Sequence, residues 1–338
     1  MMPLALLSLT ACPAFPERTA LGLSLLVTEP PKPRFLFATS NTLVTAYNLD
    51  PRTGRITGSS LSFPISVTGD IIASADGKNV YVLASSSVEV FATGSSVNRL
   101  NSTSAPAVPG FAVEHPSGKY IYVNSPQGFY TYGKINTDGN LAEIGSFLSA
   151  GTDPGGLSAH PNGQFLIGLD SVVPTVNLYP ITNGIPSGPF SIASVAGGKK
   201  AEMDSRGNYF YQISSTGQIG IFQVDGSGIL TEVNTLTFAS VPLPVVRSSP
   251  DGTEIFITHT SNIFERFRIT PEGGTVPLGG FTIGTNAVDV DRDFTGKYYY
   301  TASQTSFDVF RLDPVGGLSL IQSFPVGMPP LNIAVVSF

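Results

Sequence analysis

A short turn that ends in glycine recurs six times along the chain at a nearly constant spacing. The closing residues of these turns are Gly77, Gly118, Gly163, Gly207, Gly252 and Gly296. They are separated by 41, 45, 44, 45 and 44 residues. A repeat of this length predicts a series of similar supersecondary units, each packed against its neighbours. The fold must therefore offer an equivalent position to every one of these turns.

Each glycine turn is followed by residues that favour β-strands. The segment directly after the turn is apolar and aromatic, as in NVYVLA (79–84), YIYVNS (120–125) and EIFITH (254–259). A further strand pattern follows, such as VEVFAT (88–93), and a Gly-containing turn leads to a last one, such as ILTEVNTL (229–236). Together with the strand before the glycine turn, each repeat contains four strands. A period near 44 residues built from four strands is typical of one blade of a β-propeller.

The two ends of the chain together supply a seventh blade. Residues 34–63 contain the second, third and fourth strand patterns but lack the first, whereas PLNIAVVSF (330–338) reads as an isolated first strand. Pro330 and Ile333 match Pro154 and Leu157 in spacing. Pairing the two ends would leave neither sheet edge open. We therefore predict an all-β fold, a single seven-bladed β-propeller over residues 34–338 with four-stranded blades, closed by the C-terminal strand.

Charge and residue composition exclude several classes of partner. The formal net charge is −6, and the longest basic run is the pair Lys199-Lys200, which disfavours a nucleic-acid partner. Three histidines and one cysteine, spread along the sequence, do not predict a zinc site. No apolar run reaches the roughly 18 residues of a membrane-spanning helix. We predict no metal, no cofactor and no nucleic acid, and we expect a monomer.

The single cysteine predicts the location of the protein. Cys12 ends the segment LSLTAC (7–12) and follows an apolar run that begins at Leu4. This context resembles a bacterial lipobox, in which the cysteine is acylated after cleavage. Residues 1–12 are therefore interpreted as a lipoprotein-type signal, residues 13–33 as a Pro-rich tether, and the protein as lipid-anchored in the bacterial cell envelope, facing the periplasm or the cell surface. Because MMP carries no Lys or Arg, ordinary secretion and the absence of export stay open.

The turn sequences carry a resemblance to a known family. SPDGTEIFIT (249–258) and HPSGKYIYVN (115–124) resemble the repeats of the seven-bladed lactonase-like propellers, which include 6-phosphogluconolactonase and the carboxy-muconate cyclase. They also resemble YVTN-type surface-layer repeats. The likeness covers residues 34–338. It implies the propeller fold and, for the lactonase branch, hydrolysis of a lactone.

The lactonase signature itself is lost in this chain. In that branch an Arg and a His precede a His-Pro-x-Gly turn, and an Asn-Glu pair follows it; the corresponding positions are Gly155, Gly156, Asp170 and Ser171. Only the turn residue, His160, survives. Lactone hydrolysis needs a base and a donor for the developing oxyanion. The loss favours a non-catalytic scaffold that binds an unidentified protein or small ligand. A lactonase with an altered site is the alternative, and low His, Trp and Cys content disfavours a quinone- or metal-dependent oxidoreductase.

One row of charged residues is a candidate site. The positions five residues before the turn glycines of three consecutive repeats hold Glu202, Arg247 and Asp291. Equivalent positions on innermost strands predict that the three side chains meet at the mouth of the central channel. Two interpretations remain open, an ion-pair network between blades and a polar ligand site. For catalysis the candidates are His160, Arg247 and Glu202, although the position of His160 favours a structural role in its turn.

Overall fold

Each glycine turn joins two antiparallel strands. The six closing glycines have φ between 63° and 76°, a left-handed conformation that glycine adopts without steric penalty. In every turn the glycine N–H donates to the carbonyl three residues earlier, over 2.7–3.0 Å. The computed structural model describes residues 33–337 except 106–107, 137, 148–153, 171–174, 189, 194–196, 239–243 and 260–261.

The strands form seven antiparallel sheets, the blades, numbered here along the chain. Blade 1 begins with β1 (Pro33–Thr39), β2 (Leu43–Leu49) and β3 (Ile56–Pro64). Blade 2 contains β4 (Val67–Ala73), β5 (Asn79–Ala84), β6 (Ser87–Thr93) and β7 (Val97–Ser104). Blade 3 contains β8 (Ala112–Glu114), β9 (Tyr120–Ser125), β10 (Gly128–Lys134) and β11 (Leu141–Phe147). Blade 4 contains β12 (Pro154–Ala159), β13 (Phe165–Asp170), β14 (Thr175–Thr182), β15 (Ile185–Pro186) and β16 (Phe190–Ala193).

The remaining three blades repeat the four-stranded pattern. Blade 5 contains β17 (Gly198–Met203), β18 (Tyr209–Ser214), β19 (Gln218–Val224) and β20 (Leu230–Thr237). Blade 6 contains β21 (Val245–Ser248), β22 (Glu254–His259), β23 (Ile263–Ile269) and β24 (Thr275–Thr282). Blade 7 contains β25 (Asp289–Arg292), β26 (Tyr298–Ala302), β27 (Ser306–Leu312) and β28 (Leu318–Pro325). The last strand is β29 (Asn332–Ser337).

The C-terminal strand completes the N-terminal blade. β29 pairs antiparallel with β1, with Phe35 opposite Val336 and Phe37 opposite Ala334. Blade 1 thus has the order β29-β1-β2-β3, and the innermost strands contact one another around the whole ring. The predicted seven blades and their closure are confirmed.

Blade 4 differs from the predicted four strands. Its third strand, β14, continues into a short hairpin with β15, and the outer strand β16 pairs with the earlier part of β14. Asn183 and Gly184 at the hairpin turn both have positive φ, 54° and 81°. Two positive φ values are the signature of a type I′ turn, for which Asn-Gly is the preferred sequence.

The core is divided among the interfaces between blades. In the described residues, seven apolar clusters are buried, one between each pair of neighbouring blades. Because a blade has a neighbour on both faces, every residue of β5, β13, β18 and β22 is buried. This explains why the strand after each glycine turn is continuously apolar rather than alternating.

The described strands belong to one compact unit, Pro31–Phe338. β1 begins at Pro33, the last residue of the predicted tether. Residues 1–32, which hold Cys12 and the predicted signal, lie outside the described residues. Within the described part of the chain, no helix is long and apolar enough to span a membrane.

Candidate functional site

Two cavities lie along the central channel. The first, the glycine-turn cavity, has a volume of about 390 Å³ and is bordered by residues of the glycine turns, among them Ser74, Ser205 and Phe294. The second, the rear cavity, has a volume of about 170 Å³ and lies toward the beginning of the innermost strands, with Asp70 and Asp289 in its wall. The glycine turns therefore mark one end of the channel, and the starts of the first strands mark the other.

The predicted row of charges forms a belt between these cavities. We call Glu202, Arg247 and Asp291, on β17, β21 and β25, the charge belt. Arg247 Nη1 lies 3.2 Å from Glu202 Oε2, and Arg247 Nε lies 3.2 Å from Asp291 Oδ1. Glu202 and Arg247 line both cavities, whereas Asp291 lines the glycine-turn cavity. The structure thus brings together the three residues that the sequence analysis grouped.

Main-chain and hydroxyl donors satisfy the outer oxygens of the belt. Glu202 Oε1 accepts bonds from the N–H and hydroxyl of Ser248, at 3.2 and 3.1 Å. Asp291 Oδ2 accepts the N–H of Val335 on the closing strand β29, at 2.7 Å. The belt therefore ties blades 5, 6 and 7 to blade 1. This geometry gives the three charges a structural role whether or not they also bind a ligand.

Arg247 keeps a donor for a further partner. Its side chain is 30% exposed, and its Nη2 has no hydrogen-bond partner among the described residues. Burial lowers the pKa of the Arg247 guanidinium, but the carboxylates led by Asp291 and Glu202 outweigh burial and raise the pKa above its usual value. Arg247 is therefore a permanent cation at the centre of the channel.

The rear cavity contains a second set of polar residues that the sequence analysis missed. Asp70, Lys200 and Asp289 each lie seven residues before a turn glycine, and Asn332 holds the aligned position on β29. Asp289 Oδ2 accepts the N–H of Ile333 at 2.8 Å, and Lys200 Nζ donates to a main-chain carbonyl at 3.5 Å. Comparing the residues seven positions before each turn glycine would have identified this set from the sequence. Lys200 and Asp289 lie two residues before Glu202 and Asp291 on β17 and β25, whereas Asp70 and Asn332 lie on the innermost strands β4 and β29.

The electrostatics of the rear cavity favour a proton on Asp70 in mildly acidic solution. Burial, followed by the negative charge of Asp289, raises the pKa of Asp70 to about 6, although Lys200 and Arg247 act in the opposite direction. Burial also raises the pKa of Asp289. Among the described residues, no three His, Cys, Asp or Glu side chains come together as metal ligands.

The backbone of blade 5 occupies the place of the lost Arg-His pair. A Cβ atom on Gly156 would lie 2.2 Å from the nitrogen of Ala201 and 2.5 Å from the carbonyl carbon of Lys200. A Cβ atom on Gly155 would lie 2.4 Å from the carbonyl oxygen of Gly198. Strands β12 and β17 approach each other so closely that no side chain fits between them. The glycines are therefore required by strand packing.

His160 lies away from the channel and is held in its turn. Its Nδ1 accepts the N–H of Asn162 at 3.2 Å, which leaves Nε2–H to donate to the carbonyl of Gly207 in the next blade at 3.0 Å. His115 makes the same contact with Gly163, also at 3.0 Å. Neither histidine lines a channel cavity. Both ring nitrogens of His160 are engaged, so the structure does not bring it to Glu202 and Arg247.

Solved structures share this architecture. No family model and no curated protein matches the sequence. A putative 6-phosphogluconolactonase from Bacteroides uniformis superposes with a TM-score of 0.76 at 18% identity, over 90% of this chain and 99% of its own. A second putative 6-phosphogluconolactonase, from Bacteroides fragilis, has a TM-score of 0.75 at 19% identity, over 92% and 99%. A periplasmic gluconolactonase from Pseudomonas aeruginosa has a TM-score of 0.73 at 16% identity, over 89% and 98%. The resemblance found in the turn sequences is thereby confirmed for the fold, and the chain is a seven-bladed β-propeller whose architecture is similar to that of these structures.

Proposed function

We propose that this protein is a binding propeller of the cell envelope that holds a small polar ligand in its channel without transforming it. The observation that carries the proposal is Arg247, a 30% exposed cation whose Nη2 has no partner in the described residues. It stands between two cavities, and the larger one, about 390 Å³, has the size of a small-molecule site. A fixed cation with an unused donor provides orientation for a polar ligand.

The channel offers little support for hydrolysis by the lactonase pattern. Main-chain atoms of Lys200 and Ala201 fill the space beside Gly156, so the Arg-His pair has no room. His160, the surviving residue of the signature, uses its ring nitrogens within the turns. A base and an oxyanion donor at those positions are both missing.

A relocated lactone hydrolase is the second candidate, and the rear cavity favours it. Asp70, with its pKa raised to about 6, would be an ionised base at neutral pH. Lys200 and Arg247 line the same cavity and would stabilise an oxyanion. Three similar structures bear lactonase names. Such an activity would rise with pH through about 6 and would be lost in Asp70→Asn.

Lactone turnover and ligand-induced stabilisation separate the two candidates. The full chain would be incubated with 6-phosphogluconolactone and gluconolactone, while acid release is followed by a pH indicator. We expect no turnover above buffer. We also expect glucose or gluconate to raise the melting temperature of the wild type and of Arg268→Met, which removes an exposed arginine on β23, but not of Arg247→Met. Turnover that disappears in Asp70→Asn would establish the hydrolase, and equal stabilisation of all variants would contradict a channel ligand.

The envelope location rests on Cys12 and is proposed on the sequence context alone. The similar structure from Pseudomonas aeruginosa is a periplasmic protein, which supports an envelope location. Cells that express the wild type or Cys12→Ala would be labelled with a radioactive fatty acid. We expect label in the wild type only, and equal label in both forms would refute the lipid anchor.

A further inference from the structure

We infer that the glycine-turn cavity is an anion site, in which Arg292 binds the carboxylate or phosphate group of a small molecule and Phe294 contacts its apolar part. The inference rests on the proposed function, because it names the ligand class of the channel. The site lies at the opposite end of the channel from Gly155 and Gly156, where the lactonase signature would place its Arg and His.

Arg292 is a cation held by main-chain carbonyls rather than by a carboxylate. Its Nε donates to the carbonyl of Ser248 at 2.7 Å, and its Nη1 donates to the carbonyl of Asp293 at 3.3 Å. Within the described residues it forms no ion pair, and Nη2 makes no hydrogen bond. Two main-chain carbonyls thus hold the guanidinium in place, and the neighbouring Asp293 carboxylate interacts with it electrostatically without forming an ion pair. A guanidinium stays protonated at any physiological pH.

The carboxylates in the same cavity wall all have partners other than Arg292. Glu202 and Asp291 flank Arg247 at 3.2 Å. Glu114 Oε1 lies 2.5 Å from Lys134 Nζ. These contacts pair each carboxylate of the wall with a cation other than Arg292. Together with Lys134, three cations balance these three carboxylates, and Arg292 is the cation that none of the three carboxylates contacts.

Two further features define what the anion must look like. Arg247 also lines the cavity and has an unused Nη2, so two planar guanidinium groups face one space of about 390 Å³. Planar guanidinium groups match the paired oxygens of a carboxylate or phosphate. Phe294, in the glycine turn of blade 7, is 57% exposed and lines this cavity. An oxyanion joined to a flat apolar group would use both.

Calorimetric titration of the full chain tests the site with benzoate, phenyl phosphate and inorganic phosphate as probes. We expect one molecule of benzoate or phenyl phosphate to bind at millimolar concentration or below. Arg292→Gln should weaken that binding at least about tenfold, the effect of one lost charge-assisted hydrogen bond. Phe294→Ala should weaken the aromatic probes but leave inorganic phosphate unchanged. Arg311→Gln, an exposed position on β27 of the same blade, removes an equal charge and should bind like the wild type.

The results of the titration distinguish a carboxylate ligand from a phosphate ester, and some of them would refute the anion site. Binding of benzoate alone assigns a carboxylate ligand, and tighter binding of phenyl phosphate assigns a phosphate ester. Melting temperatures show whether each variant is folded. If Arg292→Gln does not fold, Arg292→Lys serves instead. It keeps the positive charge but lacks the planar guanidinium group, so it should bind the probes more weakly than the wild type does. No binding of any probe, or unchanged binding in the Arg292 variants, overturns the inference. If the probes do not bind but glucose still raises the melting temperature in a way that depends on Arg247, the anion site is refuted and the proposed function is not.

Discussion

Replacing Asp70 by Asn should stabilise the protein at neutral pH and not at acidic pH. In the folded chain Asp70 keeps its proton up to about pH 6, because it is partly buried near the negative charge of Asp289. In the unfolded chain it loses the proton near pH 3.8. Between these values the folded protein binds more protons than the unfolded one. The free energy of unfolding therefore falls as pH rises through this window, and the loss is complete above about pH 6.

The size of the effect follows from the shift in pKa. The difference between 3.8 and about 6 corresponds to about 3 kcal/mol of unfolding free energy at neutral pH. The attraction of Lys200 and Arg247 for the Asp70 carboxylate is already contained in this shift. An Asn side chain has nearly the shape of the protonated acid but never acquires the charge. The stability of Asp70→Asn relative to the wild type should thus increase by about 3 kcal/mol between acidic and neutral pH.

Urea unfolding at about pH 3.5 and about pH 7.5 measures this difference. Because the chain lacks Trp, tyrosine fluorescence and circular dichroism serve as the two probes, and their transitions must coincide. Asp138→Asn, on an exposed turn of blade 3, makes the same change in formal charge and controls for net charge. A stability difference that is equal at both pH values, or that favours the wild type at neutral pH, would refute the reasoning.

Three further substitutions test the packing and the charges of the channel. Gly156→Ala should lower the free energy of unfolding by about 1–3 kcal/mol, because its Cβ would lie 2.2 Å from the nitrogen of Ala201; a variant with wild-type urea stability would contradict this close approach. Arg247→Met leaves both belt carboxylates without their cation and should lower the free energy of unfolding by up to about 3 kcal/mol, a limit reduced by the 30% exposure of Arg247. Thermal unfolding at neutral pH measures this loss, and an unchanged stability would mean that solvent compensates the carboxylates. His160→Phe keeps a ring in place but removes the donor to the carbonyl of Gly207, with an expected loss of about 1–3 kcal/mol in urea; an unchanged midpoint would show that this contact between blades contributes nothing.

The charge belt stabilises the closed ring and, under the proposed function, would also contact the ligand. Arg247 joins the carboxylates of Glu202 and Asp291, and Asp291 in turn holds the closing strand through the N–H of Val335. A ligand that uses the unused Nη2 of Arg247 would therefore bind to a cation that the ring itself keeps in place. Binding would need little rearrangement, because the protein has already oriented the donor.

The amino-acid sequence by itself determined the fold of this protein. The turn glycines recur about every 44 residues, and a continuously apolar strand follows each of them, as expected for blades that are buried on both faces. The incomplete strand patterns at the two ends of the chain complete one blade when they pair with each other. The residues of the charge belt could also be predicted from the sequence. Glu202, Arg247 and Asp291 share one offset from their turns, and equivalent offsets place side chains at one level of the ring.

Tertiary structure alone decided which of these groups have partners. The sequence shows that Gly155 and Gly156 replace an Arg-His pair, but only the packing of β12 against β17 shows that the space itself is filled. Likewise, nothing in the order of residues distinguishes Arg247, held by two carboxylates, from Arg292, held by carbonyls alone. Such differences depend on atoms about 40 residues apart in the chain, in neighbouring blades, so they exist only once the ring has closed.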